Sequence, residues 1–340
     1  MSGARLRHVD DKKPGITRKR AGHGWAYFQP SGERITERAE IDRLNAIALP
    51  PAYTDAWFCP LPNGHIQATG VDARGRKQYR YHPDFRASQE ADKYEHCADF
   101  GRALPKLRAR VAADLAGRKL ARDTVIAAVV RLLDLGHIRV GNEAYAKSNK
   151  SFGATTLRNR HAKVHGARLQ LEYMGKSGKR QRLTLEDRRL AAIVRRTQDL
   201  PGQHLFEYLD EDGEARAVGS AEVNDYIRDA TGGDFTAKHF RTWGASLIAF
   251  EHILATSHEG KISLKPMLEA VAAALGNTPA ISRKSYIHPA LVALCREGDA
   301  GELCALHMPR PTQYLTSHER ALIAFLDEIA GAAQSHNQAA

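Results

Sequence analysis

Two patterns of hydrophobic positions divide the chain near residue 85. Before it, apolar residues fall in short alternating runs, such as Trp25-Ala26-Tyr27-Phe28 and His65-Ile66-Gln67-Ala68-Thr69. Turn signals separate them, among them Pro30-Ser31-Gly32 and Pro62-Asn63-Gly64. Period-two alternation punctuated by Gly, Pro and Asn predicts short strands. Residues 1–84 therefore read as a small β-rich domain with one helix near Arg38–Ile47, and Pro83 as the exit from it. From Phe85 the period is helical, so residues 85–340 read as a larger, mostly α-helical domain. Asp123–Leu135 is apolar at helical spacing, with Asp123 or Thr124 as cap and Gly136 as stop. Thr236 can cap a helix through Phe240, Trp243, Leu247, Ile248 and Ile253. Lys265–Leu275 stops at Gly276, and Ser282 can cap a short helix carrying Tyr286. One segment breaks the period. Leu169, Leu171 and Tyr173 alternate with polar residues, Met174–Gly178 makes a turn, and Leu183 and Leu185 alternate again. That is a β-hairpin with Lys176 at or beside its tip. The last ~15 residues, rich in Gln, Ser and Asn, are expected to fray. Trp25, Trp57 and Trp243 are assigned to the core. The fold class is α+β.

Length and charge narrow the class. A chain of 340 residues, 43% hydrophobic, can bury a proper core. No apolar run approaches the ~20 residues of a membrane helix. Met1–Arg20 is basic without the apolar stretch of a signal peptide, so a cytoplasmic protein is expected. The formal net charge of +11 suits a polyanionic partner, either nucleic acid or an anionic membrane face. The chain shows no basic amphipathic helix with an aromatic face, which favours nucleic acid. Cys59, Cys97, Cys295 and Cys304 are widely spread, and neither a CxxC pair nor HExxH occurs, so no metal site is expected. Gly175-Lys176-Ser177-Gly178-Lys179 has the wrong glycine spacing for a nucleotide-binding P-loop. No cofactor is expected.

Four places offer chemistry. In His137-Ile138-Arg139-Val140-Gly141-Asn142-Glu143, an arginine between apolar residues either snorkels out, pairs with a carboxylate such as Glu143, or meets a buried anion. Lys176 on the hairpin is either a solvated tip residue or an ammonium that can reach a phosphodiester and protonate a leaving oxygen. In Lys238-His239-Phe240-Arg241-Thr242-Trp243-Gly244, Arg241 lies in the first turns of its helix, where the macrodipole favours an anion. It is an exposed helix arginine or a phosphate ligand. In the stretch Gly276–Tyr286, Tyr286 follows Arg283 and Lys284. It is a core residue, or a nucleophile whose phenol, with an ordinary pKa of about 10, needs nearby positive charge.

Taken in order and spacing, these stretches resemble the poxvirus-like and bacterial type IB DNA topoisomerases over nearly the whole chain. The first domain adds Gly70-Val71-Asp72-Ala73-Arg74-Gly75-Arg76-Lys77-Gln78-Tyr79-Arg80-Tyr81-His82 to the match. The resemblance implies a catalytic set of Arg139, Lys176, Arg241, Asn277 and Tyr286. It further implies a transient 3′-phosphotyrosyl bond in duplex DNA, strand swivelling and religation without ATP or metal. The expected molecule is a monomeric, nucleoid-associated enzyme shaped as a C-shaped clamp. Arg74, Arg76, Lys77, Gln78, Tyr79, Arg80, Tyr81 and Lys238 are the expected DNA contacts, with cations on phosphates and Gln78, Tyr79 and Tyr81 toward bases or sugars.

One position departs from the poxvirus pattern, which has His where this chain has Asn277. An amide donates a neutral hydrogen bond and is no general acid near neutral pH, so Asn277 is limited to hydrogen bonding of a phosphate oxygen. Two rivals remain. A tyrosine recombinase usually has His at the position of Lys238 and a helical rather than β-rich first domain. A non-catalytic DNA-binding relative would keep the clamp and lose the chemistry, and only Asn277 points to it.

Overall fold

The computed structural model describes residues 5–117, 119–257, 262–298 and 308–338. Contacts divide the chain into two units, Met1–Lys93 and Tyr94–Ala340, each with its own core.

The first unit is a five-stranded antiparallel sheet. Its strands are β1 (Ile16–Ala21), β2 (Gly24–Phe28), β3 (Thr54–Phe58), β4 (Ile66–Val71) and β5 (Lys77–Tyr81), in the order β2-β1-β3-β4-β5. Ile16, Tyr27, Phe58 and Ala68 point to one side, where helix α1 (Arg38–Ala46) supplies Leu44. The Tyr27 hydroxyl needs a partner at that depth and donates to Asn45 Oδ1 at 2.9 Å. Trp25 and Trp57 are half-buried rather than core, because each is engaged at the surface. The Arg18 guanidinium lies 4.0 Å from the Trp25 ring centroid, and Trp57 Nε1 donates to the Lys13 carbonyl at 2.9 Å. Helix α2 (Pro83–Glu95) begins at the proline read as the exit, where the missing N–H costs a helix nothing.

The second unit is built around α4 (Arg122–Gly136), whose residues from Thr124 to Val130 are all buried. A helix apolar all round must be covered all round. Here α3 (Cys97–Asp114), α6 (Arg188–Gln198), α7 (Ser220–Thr231) and α8 (Ala237–Ser257) do so. Its cap position is Ala121, without a side-chain cap, and not Asp123 or Thr124. Thr124 is instead buried, and Asp123 faces out toward Arg110 at 3.2 Å. The left-handed residue at the other end is His137 (φ 48°) and not Gly136. Gly136 is needed for space, since a Cβ there would stand 2.7 Å from Leu183 Cδ2.

The hairpin is the outer part of a three-stranded sheet of β6 (Ala162–His165), β7 (Arg168–Met174) and β8 (Arg180–Glu186). Leu169, Leu171 and Tyr173 form the buried side of β7. Short α5 (Glu143–Asn149) precedes this sheet, and the small hairpin β9 (Glu207–Leu209) and β10 (Ala215–Ala217) follows α6. The helices α9 (Leu264–Leu275), α10 (Pro279–Ser285), α11 (Pro289–Glu297) and α12 (Ser317–Gln338) complete the described chain. Helix α12 runs on to Gln338, past the point where the polar tail was expected to fray, and Ala321, Leu322, Phe325 and Leu326 anchor it in the core.

Among the described residues no helix is long and apolar enough to cross a membrane. Cys59, Cys97 and Cys295 are buried thiols outside any disulfide, and Cys304 lies outside the described residues.

Candidate active site

Four chain segments of the second unit converge. The first follows α4. His137 closes that helix in the left-handed conformation, its N–H returning to the Leu133 carbonyl at 3.0 Å. Gly244 of α8 makes room for its ring, because a Cβ at 244 would stand 2.4 Å from Nδ1. The extended residues beyond are held by their backbone. Ala154 N–H donates to the Arg139 carbonyl at 2.8 Å, and Thr155 N–H to the Val140 carbonyl at 2.7 Å. Arg139 thus emerges from a fixed main chain. It does not pair with Glu143, which instead bonds Arg158 at 3.0 Å and His204 at 3.3 Å. Its Nη2 donates to Asn277 Oδ1 at 2.8 Å.

Arg241 is 4% exposed and so is no surface arginine. Helix α8 starts after Thr236, whose N–H donates to His239 Nδ1 at 2.9 Å, a reciprocal start that fixes the first turn. Arg241 lies one turn inward. Its Nη1 donates to the His137 carbonyl and its Nη2 to the Leu275 carbonyl at 3.2 Å, while buried Nε has no protein partner. Both acceptors are neutral, and among the described residues no carboxylate pairs with Arg139 or Arg241. The side chain's pKa lies below its ordinary value because burial, and then Arg139 beside it, disfavour the charge.

The third segment is the end of α9 and the loop into α10. Gly276 (φ 63°) and Asn277 form a Schellman motif. The Asn277 N–H bonds the Ala272 carbonyl at 3.0 Å and the Gly276 N–H bonds that of Ala273 at 3.4 Å. Since Asn277 Oδ1 accepts from Arg139, its Nδ2 is left as a buried donor without a protein partner. Helix α10 is capped by Thr278, whose side chain accepts from the Ile281 N–H at 3.3 Å, and not by Ser282. Ser282 is fully buried inside the helix, and Tyr286 stands at its C-terminal end. Thr278 wins because Pro279 behind it suits the first helical position.

Tyr286 is half-buried, with the Arg241 guanidinium 4.7 Å from its ring centroid. Burial opposes ionisation of the phenol. The charges of Arg241 and Arg139, and hydrogen bonds from both, outweigh it and hold the pKa below its usual value. Tyr173 feels the same two arginines but is buried more deeply, and is pushed up to about 12. The site therefore separates its two tyrosines, favouring phenolate at one and phenol at the other.

Lys176 is the fourth piece. It is exposed at the hairpin tip and shares with Arg139, Arg241 and Tyr173 the walls of a pocket of about 40 Å³. Lys238 is exposed on the first turn of α8. Among the described residues no group of three or more His, Cys, Asp or Glu is placed to hold a metal ion. The sequence reading missed Tyr173 as a member of the site, and it missed Gln181, which lines the same pocket. The one trace of Gln181 in the sequence is the pair Gly175 and Gly276, both of which face it.

The remaining expected contacts lie in the first unit, on β5 and the turn before it. Arg76 pairs with Asp72 at 2.6 Å, and Arg76 and two backbone N–H groups hold that carboxyl at about 2. Gln78 Nε2 also donates to Asp72, at 3.0 Å. Lys77 pairs with Asp11 at 2.6 Å, and Arg80 donates to the Ala48 carbonyl at 3.3 Å. Arg74 is exposed in the turn. Tyr79 and Tyr81 are 42% and 41% exposed and stack at 5.9 Å. Exposed aromatics flanked by cations on an edge strand suit a nucleic acid better than a protein core.

A phenol under the buried Arg241 guanidinium, with half-buried Arg139 also acting on it, neither arginine paired with a carboxylate among the described residues, and a lysine on a hairpin that lines the same pocket as both arginines, suits phosphoryl transfer. Comparison with known proteins agrees. Residues 82–295 match the family described as eukaryotic DNA topoisomerase I, catalytic core, and residues 24–72 match bacterial DNA topoisomerase IB, N-terminal domain. The chain is 32% identical over 286 residues to the DNA topoisomerase 1B of Acanthamoeba polyphaga mimivirus, covering 80% of this chain and 85% of the relative. The chain belongs to the type IB DNA topoisomerase family, and the resemblance read from its motifs is borne out. It is accordingly an enzyme of the isomerase class.

Proposed function

We propose that this protein relaxes supercoiled duplex DNA by cutting and resealing one strand, with Tyr286 as nucleophile. Tyr286, its proton lost to solvent, attacks phosphorus in line as the phenolate that the arginines favour, forming a 3′-phosphotyrosyl ester as the bond to the 5′-oxygen breaks. Lys176 gives that oxygen its proton. Arg139 and Arg241 hold the two non-bridging oxygens, where a planar, permanently charged fork suits phosphate. Asn277 adds a neutral hydrogen bond from Nδ2. The ester conserves the energy of the broken bond, so reversal reseals the strand without ATP once the free end has swivelled. The first unit contributes duplex contacts through Arg74, Arg76, Lys77, Arg80 and the two stacked tyrosines, and Lys238 adds one from α8.

The observation that supports this reading most is Tyr286 under the Arg241 guanidinium and within the influence of Arg139, two charges that no carboxylate among the described residues neutralises. Such charge disfavours the empty site and favours an anion in it. The test is supercoiled plasmid incubated in EDTA without ATP, with wild type beside Tyr286→Phe. Relaxation by wild type alone, with a covalent protein–DNA adduct on denaturation, is expected. Tight binding by both with neither relaxation nor adduct would leave a DNA-binding relative without chemistry.

A further inference from the structure

Two glycines of the site are shaped around one side chain. A Cβ built on Gly276 would stand 2.0 Å from Gln181 Oε1 and 2.7 Å from its Nε2. One built on Gly175 would stand 2.8 Å from Gln181 Cγ. Gly276 immediately precedes Asn277, and Gly175 immediately precedes Lys176 at the neck of the hairpin. Gln181 itself lies on β8, directly across the ladder from Tyr173. One half-buried side chain therefore packs on the backbone of both segments, and it stands in the wall of the pocket that Lys176 lines.

We infer that Gln181 is a positioning residue for leaving-group protonation, wedged between the hairpin neck and the Gly276 loop so that Lys176 is held at the reacting phosphate. Hairpin tips are mobile, and a proton donor works only within hydrogen-bond reach of the oxygen it serves. Backbone bonds hold the neck and close the turn, with Phe152 N–H on the Met174 carbonyl at 2.7 Å, Gly175 N–H on the Lys179 carbonyl at 2.8 Å and Gly178 N–H on the Gly175 carbonyl at 3.2 Å, but the Lys176 side chain beyond them is exposed. Gln181 ties the neck to a loop that the Schellman motif already fixes. The contact is packing of the amide on glycine backbone, so the side chain acts through its volume.

This rests on the reading of Lys176 as the proton donor, and one experiment separates the two. A duplex whose 5′-bridging oxygen is replaced by sulfur releases a thiolate, which needs no proton because a thiol ionises near pH 8.5, far below an alcohol. Single-turnover cleavage of the oxygen and sulfur duplexes is measured for wild type, Lys176→Ala, Gln181→Ala and Gln181→Met, with each variant's melting temperature. Lys176→Ala slow on oxygen and restored by sulfur upholds the reading itself, and failure of that restoration removes it together with the inference. Given that control, Gln181→Ala is expected to lose about 10- to 100-fold on oxygen, the scale of an ångström-sized misplacement, and to recover on sulfur. Gln181→Met, of similar volume, is expected to recover most of the lost rate on oxygen. Equal slowing of Gln181→Ala on both duplexes, no slowing at all, or Gln181→Met as slow as Gln181→Ala would each overturn the inference. Should Gln181→Ala fail to fold, Gly175→Ala displaces Gln181 from the neck with an ordinary backbone conformation retained. It is expected to show the same loss on oxygen and recovery on sulfur, and equal slowing on both would overturn the inference.

Discussion

At the residue scale, the two tyrosines that face Arg139 and Arg241 show how burial and charge compete. Both feel the same guanidiniums, yet Tyr173 is pushed up to about 12 and Tyr286 is drawn down. Tyr286 gains more in its ionised form in the folded state than in the unfolded chain, so its folded pKa lies below the unfolded value of about 10. The stability this brings is present above the unfolded pKa and lost as pH falls through the folded one. The same lowering also acts on rate. Single-turnover cleavage should rise with pH and level off below pH 10. In Arg139→Ala the inflexion should move up, since one of the two lowering charges is gone. An inflexion at the ordinary tyrosine value in both proteins would deny the arginines that role. Removing either arginine should also slow cleavage by about 10²–10³, the cost of one oxyanion donor. Arg→Lys at either position should restore little, because a point ammonium cannot span two oxygens.

At the element scale, the site depends on how four helices are tied behind it. Arg108 of α3 donates to both oxygens of Asp134 on α4 at 2.9 Å, and to Glu319 of α12 at 2.7 and 2.9 Å. Trp243 of α8, two residues past Arg241, donates to the same Glu319 at 3.4 Å. Glu319 is 2% exposed, so removing its partner leaves a buried charge uncompensated. Arg108→Leu should therefore cost about 3–5 kcal/mol in denaturant unfolding. Burial opposes the Glu319 charge, but Arg108 and the Thr316 N–H outweigh it, and the carboxyl lies below its ordinary value. Stability from it is present above the unfolded pKa, near 4.3, and lost as pH falls through the folded one. Arg108→Leu should flatten that acid-side loss, and an unchanged acid profile would mean the cluster contributes nothing there. Elements with local signals were legible in the sequence. The stop at Gly276, the hairpin around Lys176 and the start after Thr236 each follow from turn chemistry or period. Helix α10 was misjudged because two hydroxyls competed for its cap and only packing buries Ser282. Gln181 and Tyr173 could not be found by pattern, because each looks like an ordinary strand residue until Gly175, Gly276 and the arginines are brought around it.

At the scale of the whole molecule, the net charge of +11 matters through where the cations are already engaged. Each lysine or arginine that neutralises a phosphate should add about 0.9 to the slope of log affinity against log salt. The cations near β5 are not equivalent in this respect. Arg76 and Lys77 are each held by a carboxylate at 2.6 Å, whereas Arg80 donates to the neutral carbonyl of Ala48 at 3.3 Å. A charge shared with a carboxylate has less to offer a phosphate, and Asp72 also fixes the turn through the N–H groups of Arg74 and Arg76. Arg80→Ala should thus lower the slope by about 1 and weaken binding alike on all duplex sequences. Tyr81→Ala removes an exposed ring and no charge, so it should weaken binding while the slope stays as in wild type. Titration of a labelled duplex by fluorescence anisotropy at several salt concentrations measures both quantities. If Arg80→Ala keeps the wild-type slope, β5 does not lie on phosphates, and the basic balance of the first unit serves some other end than gripping the duplex.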